Sequence, residues 1–194
     1  MTWPREAIPI PAESGIAGKV GVVSLFAYGG SIKDAVLRLK HGKQVAVARP
    51  LGILLGECLR TGLGSHLSDL VICPVPLHPQ RLRARGFNQA LELIRHARTI
   101  FPREGRPRLV RELLRRVKPT QPLGHASRAD RQHTVCGAFA VRQQEHCSGQ
   151  KVILVDDVMT TGATAMECSK VLMEAGASQI AIFTIARAIP AFIP

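Results

Sequence analysis

Two adjacent carboxylates, Asp156 and Asp157, follow the apolar run 152–155 directly. They precede a small-residue stretch made of Val158, Met159, Thr160, Thr161, Gly162, Ala163 and Thr164. Ionised carboxylates accept hydrogen bonds from sugar hydroxyls or hold Mg²⁺ through water. A Thr/Gly-rich turn opening into a helix offers several backbone N–H groups to an anion. A cradle alone holds a phosphate. With two acids one short loop away, the set fits a ligand that carries both ribose and phosphate. The plain alternative is an ordinary strand–turn–helix crossover with a chance acid pair, which leaves two like charges side by side for no stated reason.

A second set lies near the middle of the chain: Val75, Pro76, Leu77 and His78, then Arg81, Arg83 and Arg85. Guanidinium forks suit phosphate oxygens. Gly86 lets the chain turn, and Asn88 and Gln89 either cap the helix that follows or contact ligand. A third set, Gln121, Arg128 and Arg131, falls in the loop-like segment 119–134. It reads either as a loop closing over the ligand or as a solvent loop.

The elements that must position these residues alternate. Strands are expected at 20–28, 70–74, 139–141, 151–155 and 179–186. Helices are expected at 31–40 with Ser31 as cap, from Pro50 to about residue 61, from Asn88 to about residue 99, and up to Ala175 after the Thr/Gly turn. Residues 80–86 read as a basic loop, and 108–118 has no clear type. This order predicts an α/β fold: a mainly parallel central sheet flanked by helices, with a flexible loop over the active site. Ligands of such sheets bind at the carboxyl ends of the strands. The expected organisation is a loose arm over 1–19, one domain over 20–187 and a tail over 188–194.

Hydrophobic residues make up 46% of the 194, enough for a packed core, but aromatics are only 4%, so stacking platforms for single-stranded nucleic acid are few. No apolar run of membrane-spanning length is present, and no signal-peptide core is seen. The five cysteines are scattered and form no Cys-x-x-Cys pair, which points to free thiols and a cytoplasmic location. The spacing of His133, Cys136, His146 and Cys147 lacks paired zinc-ligand geometry, so no zinc site is expected. Residues 81–131 hold 14 Lys/Arg against 4 Asp/Glu and so carry ten of the formal net charge of +12. Such a block attracts polyanions, or is a solvated basic surface.

The stretch 152–164 resembles the 5-phosphoribosyl 1-diphosphate (PRPP) motif of type I phosphoribosyltransferases. The resemblance implies that Asp156 and Asp157 bind the ribose hydroxyls and that the turn 160–164 wraps the 5′-phosphate. It also implies that the loop holding Val75, Pro76, Leu77, His78, Arg81 and Arg85 contacts pyrophosphate, with Mg²⁺ arriving on PRPP. The runs Pro74-Val75-Pro76-Leu77 and Arg85-Gly86-Phe87-Asn88-Gln89 resemble the ComF family, known from bacterial DNA uptake. Gln121, Arg128, Arg131 and Gly137-Ala138-Phe139 extend the likeness, although Thr134 stands where such chains usually carry Asn. A stretch from Tyr28 to Leu51, with an aromatic strand end, an amphipathic helix and Lys40-His41-Gly42-Lys43, also looks ComF-like; Lys40 could reach a phosphate or act as a helix C-terminal cation. Many ComF-like chains begin with a four-cysteine zinc module, and here no cysteine precedes Cys58. What the family implies is PRPP binding and phosphoribosyl transfer to a nitrogenous base. The alternative is a non-enzymatic accessory that binds single-stranded DNA, a competence helicase or another DNA-uptake protein. A homodimer is one possible assembly.

Overall fold

A computed structural model describes residues 19–41, 44–64, 67–118 and 135–188. The expected loop residues Gln121, Arg128 and Arg131, the arm over 1–18 and the tail over 189–194 lie outside the described residues. Seven strands and five α-helices are described. In chain order these are β1 (Val20–Ala27), α1 (Gly30–His41), α2 (Ala48–Leu63), β2 (Leu70–Pro74), α3 (Pro79–Arg85), α4 (Gln89–Ala97), β3 (Arg108–Leu109), β4 (Leu114–Arg116), β5 (Phe139–Val141), β6 (Lys151–Met159), α5 (Ala163–Glu174) and β7 (Gln179–Arg187).

Five strands form one sheet in the order β1-β7-β6-β2-β3, every pair parallel. The architecture is therefore α/β with a mainly parallel sheet flanked by helices, as expected from the alternation of elements. The apolar strands fill both faces because period-2 alternation sends neighbours to opposite sides. Val71, Cys73, Val152 and Leu154 pack with Cys168 and Leu172 of α5. Ile72, Ile153 and Val155 pack with Val36 and Leu39 of α1 and with the apolar faces of α2 and α4. β4 and β5 pair antiparallel as a separate small sheet; their Leu114 and Phe139 join the α5-side core.

Four expectations shift. Residues 79–85 are helix α3, not a loop: Pro79 occupies its first turn, and His78 caps it, Nδ1 accepting from the Gln80 N–H at 3.4 Å. Basic charge masked a run of good helix formers. Ser31 lies inside α1, whose first turn starts at Gly30. The segment of unclear type over 108–118 contains the two short strands β3 and β4. Finally, β6 runs on to Met159, so the acid pair sits within a strand. Asp156 still pairs with Thr184 and Met159 with Arg187, and this pairing carries the strand past its polar residues.

Helices α2 and α4 approach closely because α2 presents Gly52 and Gly56 to its neighbour. A Cβ on Gly56 would lie 2.5 Å from Ala97 O and 2.7 Å from Ile100 Cγ1. Gly62, on the same helix, has nothing within 4 Å. Alanine normally gains ~0.5–1 kcal/mol over glycine inside a helix. Overpacking costs ~1–3 kcal/mol. Gly56→Ala is therefore expected to lower stability and Gly62→Ala to raise it slightly, measured by denaturant unfolding of both variants.

Candidate functional site

The acid pair stands near the carboxyl end of β6, flanked by the loop after β2 and by the turn leading into α5. Val75 donates its N–H to Val155 O at 2.8 Å, which seats the loop 75–78 beside Asp156. Pro74 and Pro76 hold that backbone extended. The two carboxylates fold back on their own strand. Asp156 Oδ1 accepts from the Asp157 N–H at 2.8 Å, and Asp157 Oδ1 accepts from the Val158 N–H at 2.9 Å.

Asp157 is only 2% exposed. Its second oxygen, Oδ2, lies 3.0 Å from Lys40 Nζ at the end of α1. Oδ2 receives this charge at ion-pair distance but without an aligned hydrogen bond. Lys40 was legible in the sequence as a helix C-terminal cation; the structure gives it a carboxylate partner as well. Asp156 is half-buried, and its carboxyl is pushed up to about 8. Burial is the main cause, the Asp157 charge adds to it, and Lys40 opposes both.

Arginines approach the pair from α3 and from β4. Arg85 is half-buried, and burial lowers its pKa while Asp157 and Asp156 act in the opposite sense and Arg81 adds repulsion. Arg85 Nη1 donates to Gln89 Oε1, and Gln89 is itself buried. Arg116 sits over the Phe139 ring at 5.3 Å from its centroid. Burial lowers its pKa too, with Arg81 adding repulsion and Asp156 favouring its charge. Arg116 was missed as a site residue because the sequence 108–118 showed only charge, not the β4–β5 pairing that turns it toward β6.

The turn Thr160–Thr161–Gly162 joins β6 to α5. Gly162 has φ +81° and stands at the N-cap of α5; Thr161 Oγ1 accepts from the Ala163 N–H at 3.4 Å. The first turn of a helix presents N–H groups that have no intrahelical partner, so this end of α5 is an anion cradle. Only glycine tolerates that φ cheaply, and a Cβ there would also lie 2.7 Å from Met159 Cε. Gly162→Ala is expected to strain the turn by ~1–2 kcal/mol and, if the turn receives a phosphate, to weaken that binding while the chain stays folded. Parallel thermal melts and phosphate titrations check this.

The site thus joins Asp156, Asp157, the turn 160–164, the loop 75–78 and Arg81 and Arg85. The pattern of acids, anion cradle and arginines meets at one end of the sheet. Among the described residues, no group of three or more His, Cys, Asp and Glu is arranged to hold a metal ion, and no helix is long and apolar enough to cross a membrane.

No protein-family model matches the chain. Among curated proteins it is 33% identical to competence protein F of Haemophilus influenzae over 156 residues, 79% of this chain and 66% of that protein. The chain belongs to the ComF family. It is 28% identical to DNA utilization protein YhgH of Escherichia coli over 86% of its length and 71% of the relative. It is 26% identical to competence protein ComFC of Streptococcus pneumoniae over 84% of its length and 67% of the relative. This ComF-family chain therefore spans about two thirds of the length of the relatives it matches. Among solved structures it is similar to a hypoxanthine phosphoribosyltransferase of Staphylococcus aureus, at 12% identity and TM-score 0.40, covering 77% of this chain and 74% of that one. It is also similar to the phosphoribosylpyrophosphate synthetase of Mycobacterium smegmatis, at 18% identity and TM-score 0.36, covering 69% and 33%.

Proposed function

We propose that this ComF-family protein binds PRPP with Mg²⁺ and transfers its phosphoribosyl group to a nitrogenous base. The observation that carries this reading is the junction of an acid pair, one member buried and one half-buried, with an anion cradle at the carboxyl end of one strand. Asp156 and Asp157 accept hydrogen bonds from the ribose hydroxyls. The turn 160–164 binds the 5′-phosphate through backbone N–H groups, so binding energy far from C1′ fixes the orientation of the ring. Arg81 and Arg85, with the loop 75–78, receive the pyrophosphate and stabilise its charge as it leaves. Among the described residues the two carboxylates have no third His, Cys, Asp or Glu grouped with them to hold a metal, which fits a cation brought in on the diphosphate better than a resident cage. Mg²⁺ supplies charge neutralisation at the diphosphate when bound. The test is calorimetric titration of PRPP, with and without Mg²⁺, into the wild type and an Asp156→Ala/Asp157→Ala variant. Mg²⁺-dependent binding lost in the variant supports the reading; absence of binding to the wild type removes it.

One observation favours a second reading, a DNA-handling accessory. Burial lowers the pKa of Arg98 near β3, and the positive charges of Arg106 and Arg111 add to the effect. Arg98 Nε donates to Pro107 O at 3.0 Å and Arg106 Nε to Phe101 O at 2.9 Å, which leaves their outer nitrogens for phosphate. Binding of an oligonucleotide there falls steeply with salt, with a slope set by the number of phosphates contacted. A flat salt dependence counts against it.

A further inference from the structure

Asn88 makes two bonds in two directions. Its Oδ1 accepts from the Leu91 N–H at 3.3 Å and so caps α4. Its Nδ2 donates to Val75 O at 3.0 Å, thirteen residues back in the chain. The N–H of Val75 in turn donates to Val155 O, the residue before Asp156. A chain of hydrogen bonds thus runs from the first turn of α4, through Val75 in the loop after β2, to Val155, the residue that precedes the acid pair. The loop's other restraints lie at its ends: the Val75 side chain is buried in the core, and His78 caps α3 and its carbonyl accepts from the Leu82 N–H at 2.9 Å. Pro76 has no N–H to give, and residues 75–78 belong to no helix or strand.

We propose that Asn88 is a positioning residue for the anion site: its amide donor fixes the backbone of residues 75–78 on which the diphosphate rests. The inference rests on the PRPP reading for the identity of the anion and on the hydrogen bonds alone for the positioning. A residue that merely caps a helix needs one acceptor oxygen. Aspartate and serine supply that oxygen about as well as asparagine. Neither supplies the Nδ2 donor. Aspartate adds a negative charge near the site, and serine does not, so the pair separates repulsion from lost positioning.

The experiment is hydrogen–deuterium exchange of the full chain, free of ligand, alongside PRPP–Mg²⁺ affinity, for the wild type, Asn88→Ser and Asn88→Asp. The expected result is exchange of the Val75 N–H, the loop amide that has a backbone acceptor, about tenfold faster in both variants as its carbonyl loses its anchor and the bond to Val155 O opens more often. Exchange across α4 and the melting temperature stay near wild type. PRPP affinity falls about tenfold in Asn88→Ser and further in Asn88→Asp. Unchanged exchange of the Val75 N–H overturns the proposal; if affinity still falls, Asn88 touches the ligand instead. Faster exchange confined to α4 also overturns it, because the side chain is then only a cap. If the wild type binds no PRPP, the functional reading fails, and the exchange result alone still decides whether Asn88 holds the loop.

Discussion

Asp157→Asn is expected to weaken PRPP binding by ~10- to 150-fold while leaving the chain folded. The carboxylate is buried, its Oδ1 is committed to the Val158 N–H, and its Oδ2 faces Lys40. A ribose hydroxyl that donates to this group makes a hydrogen bond to a charge, worth ~1.5–3 kcal/mol. Loss of the ion pair then leaves Lys40 without its described carboxylate partner, which adds to the positive potential but removes the group that the sugar reads. The hydrogen-bond range of ~1.5–3 kcal/mol corresponds to the stated range of affinities. Stability changes less, since Lys40 is partly exposed and can turn to water. Replacing both acids by alanine removes binding altogether within the range calorimetry can read. An Asp157→Asn variant with wild-type affinity defeats the assignment of the ribose to this pair. A variant that loses phosphate binding as well as ribose binding would show that the pair organises the whole turn.

Much of this site was legible because its chemistry is local in the chain. The residues 152–164 carry strand, acids, turn and helix start in one run, and neighbours in sequence stay neighbours in space. The same holds for Gly86, whose φ of +87° ends α3 as a glycine should. What was not legible depends on partners far away in sequence. The continuation of β6 to Met159 is set by pairing with β7, some 28 positions on, and no property of Asp156 or Asp157 announces a strand. Lys40 meets Asp157 across more than a hundred residues. Arg116 is turned toward the site by the antiparallel pairing of β4 with β5, two strands of three residues each, too short to leave a periodic signal. Helix α3 was hidden for another reason. Charge density over 80–86 suggested solvent and loop, but arginine, leucine and alanine are good helix formers, and His78 and Pro79 supply a start.

The melting temperature of Asp156→Asn is expected to exceed that of the wild type at alkaline pH, by a margin that shrinks toward about pH 5. The argument follows from the proton. In the unfolded chain an aspartate loses its proton near pH 3.9. In the folded protein burial and the Asp157 charge hold the proton on Asp156 up to about 8. Between those values the folded state binds more protons than the unfolded one, so stability falls as pH rises. It is fully present below the unfolded value and is lost as pH climbs through the folded value. Asparagine is neutral throughout and contributes no such slope. Function runs the other way. A ribose hydroxyl donates best to the ionised carboxylate, so PRPP affinity of the wild type should climb as pH rises toward 8, with a proton released on binding. The release is visible as buffer-dependent binding enthalpy. The asparagine variant should show neither the climb nor the release. The same carboxyl thus costs the empty protein stability at the pH where it serves the ligand best. Melts across about pH 5 to about pH 9, set beside titrations in two buffers, separate the two effects. Equal pH slopes in wild type and variant would place the perturbed proton elsewhere.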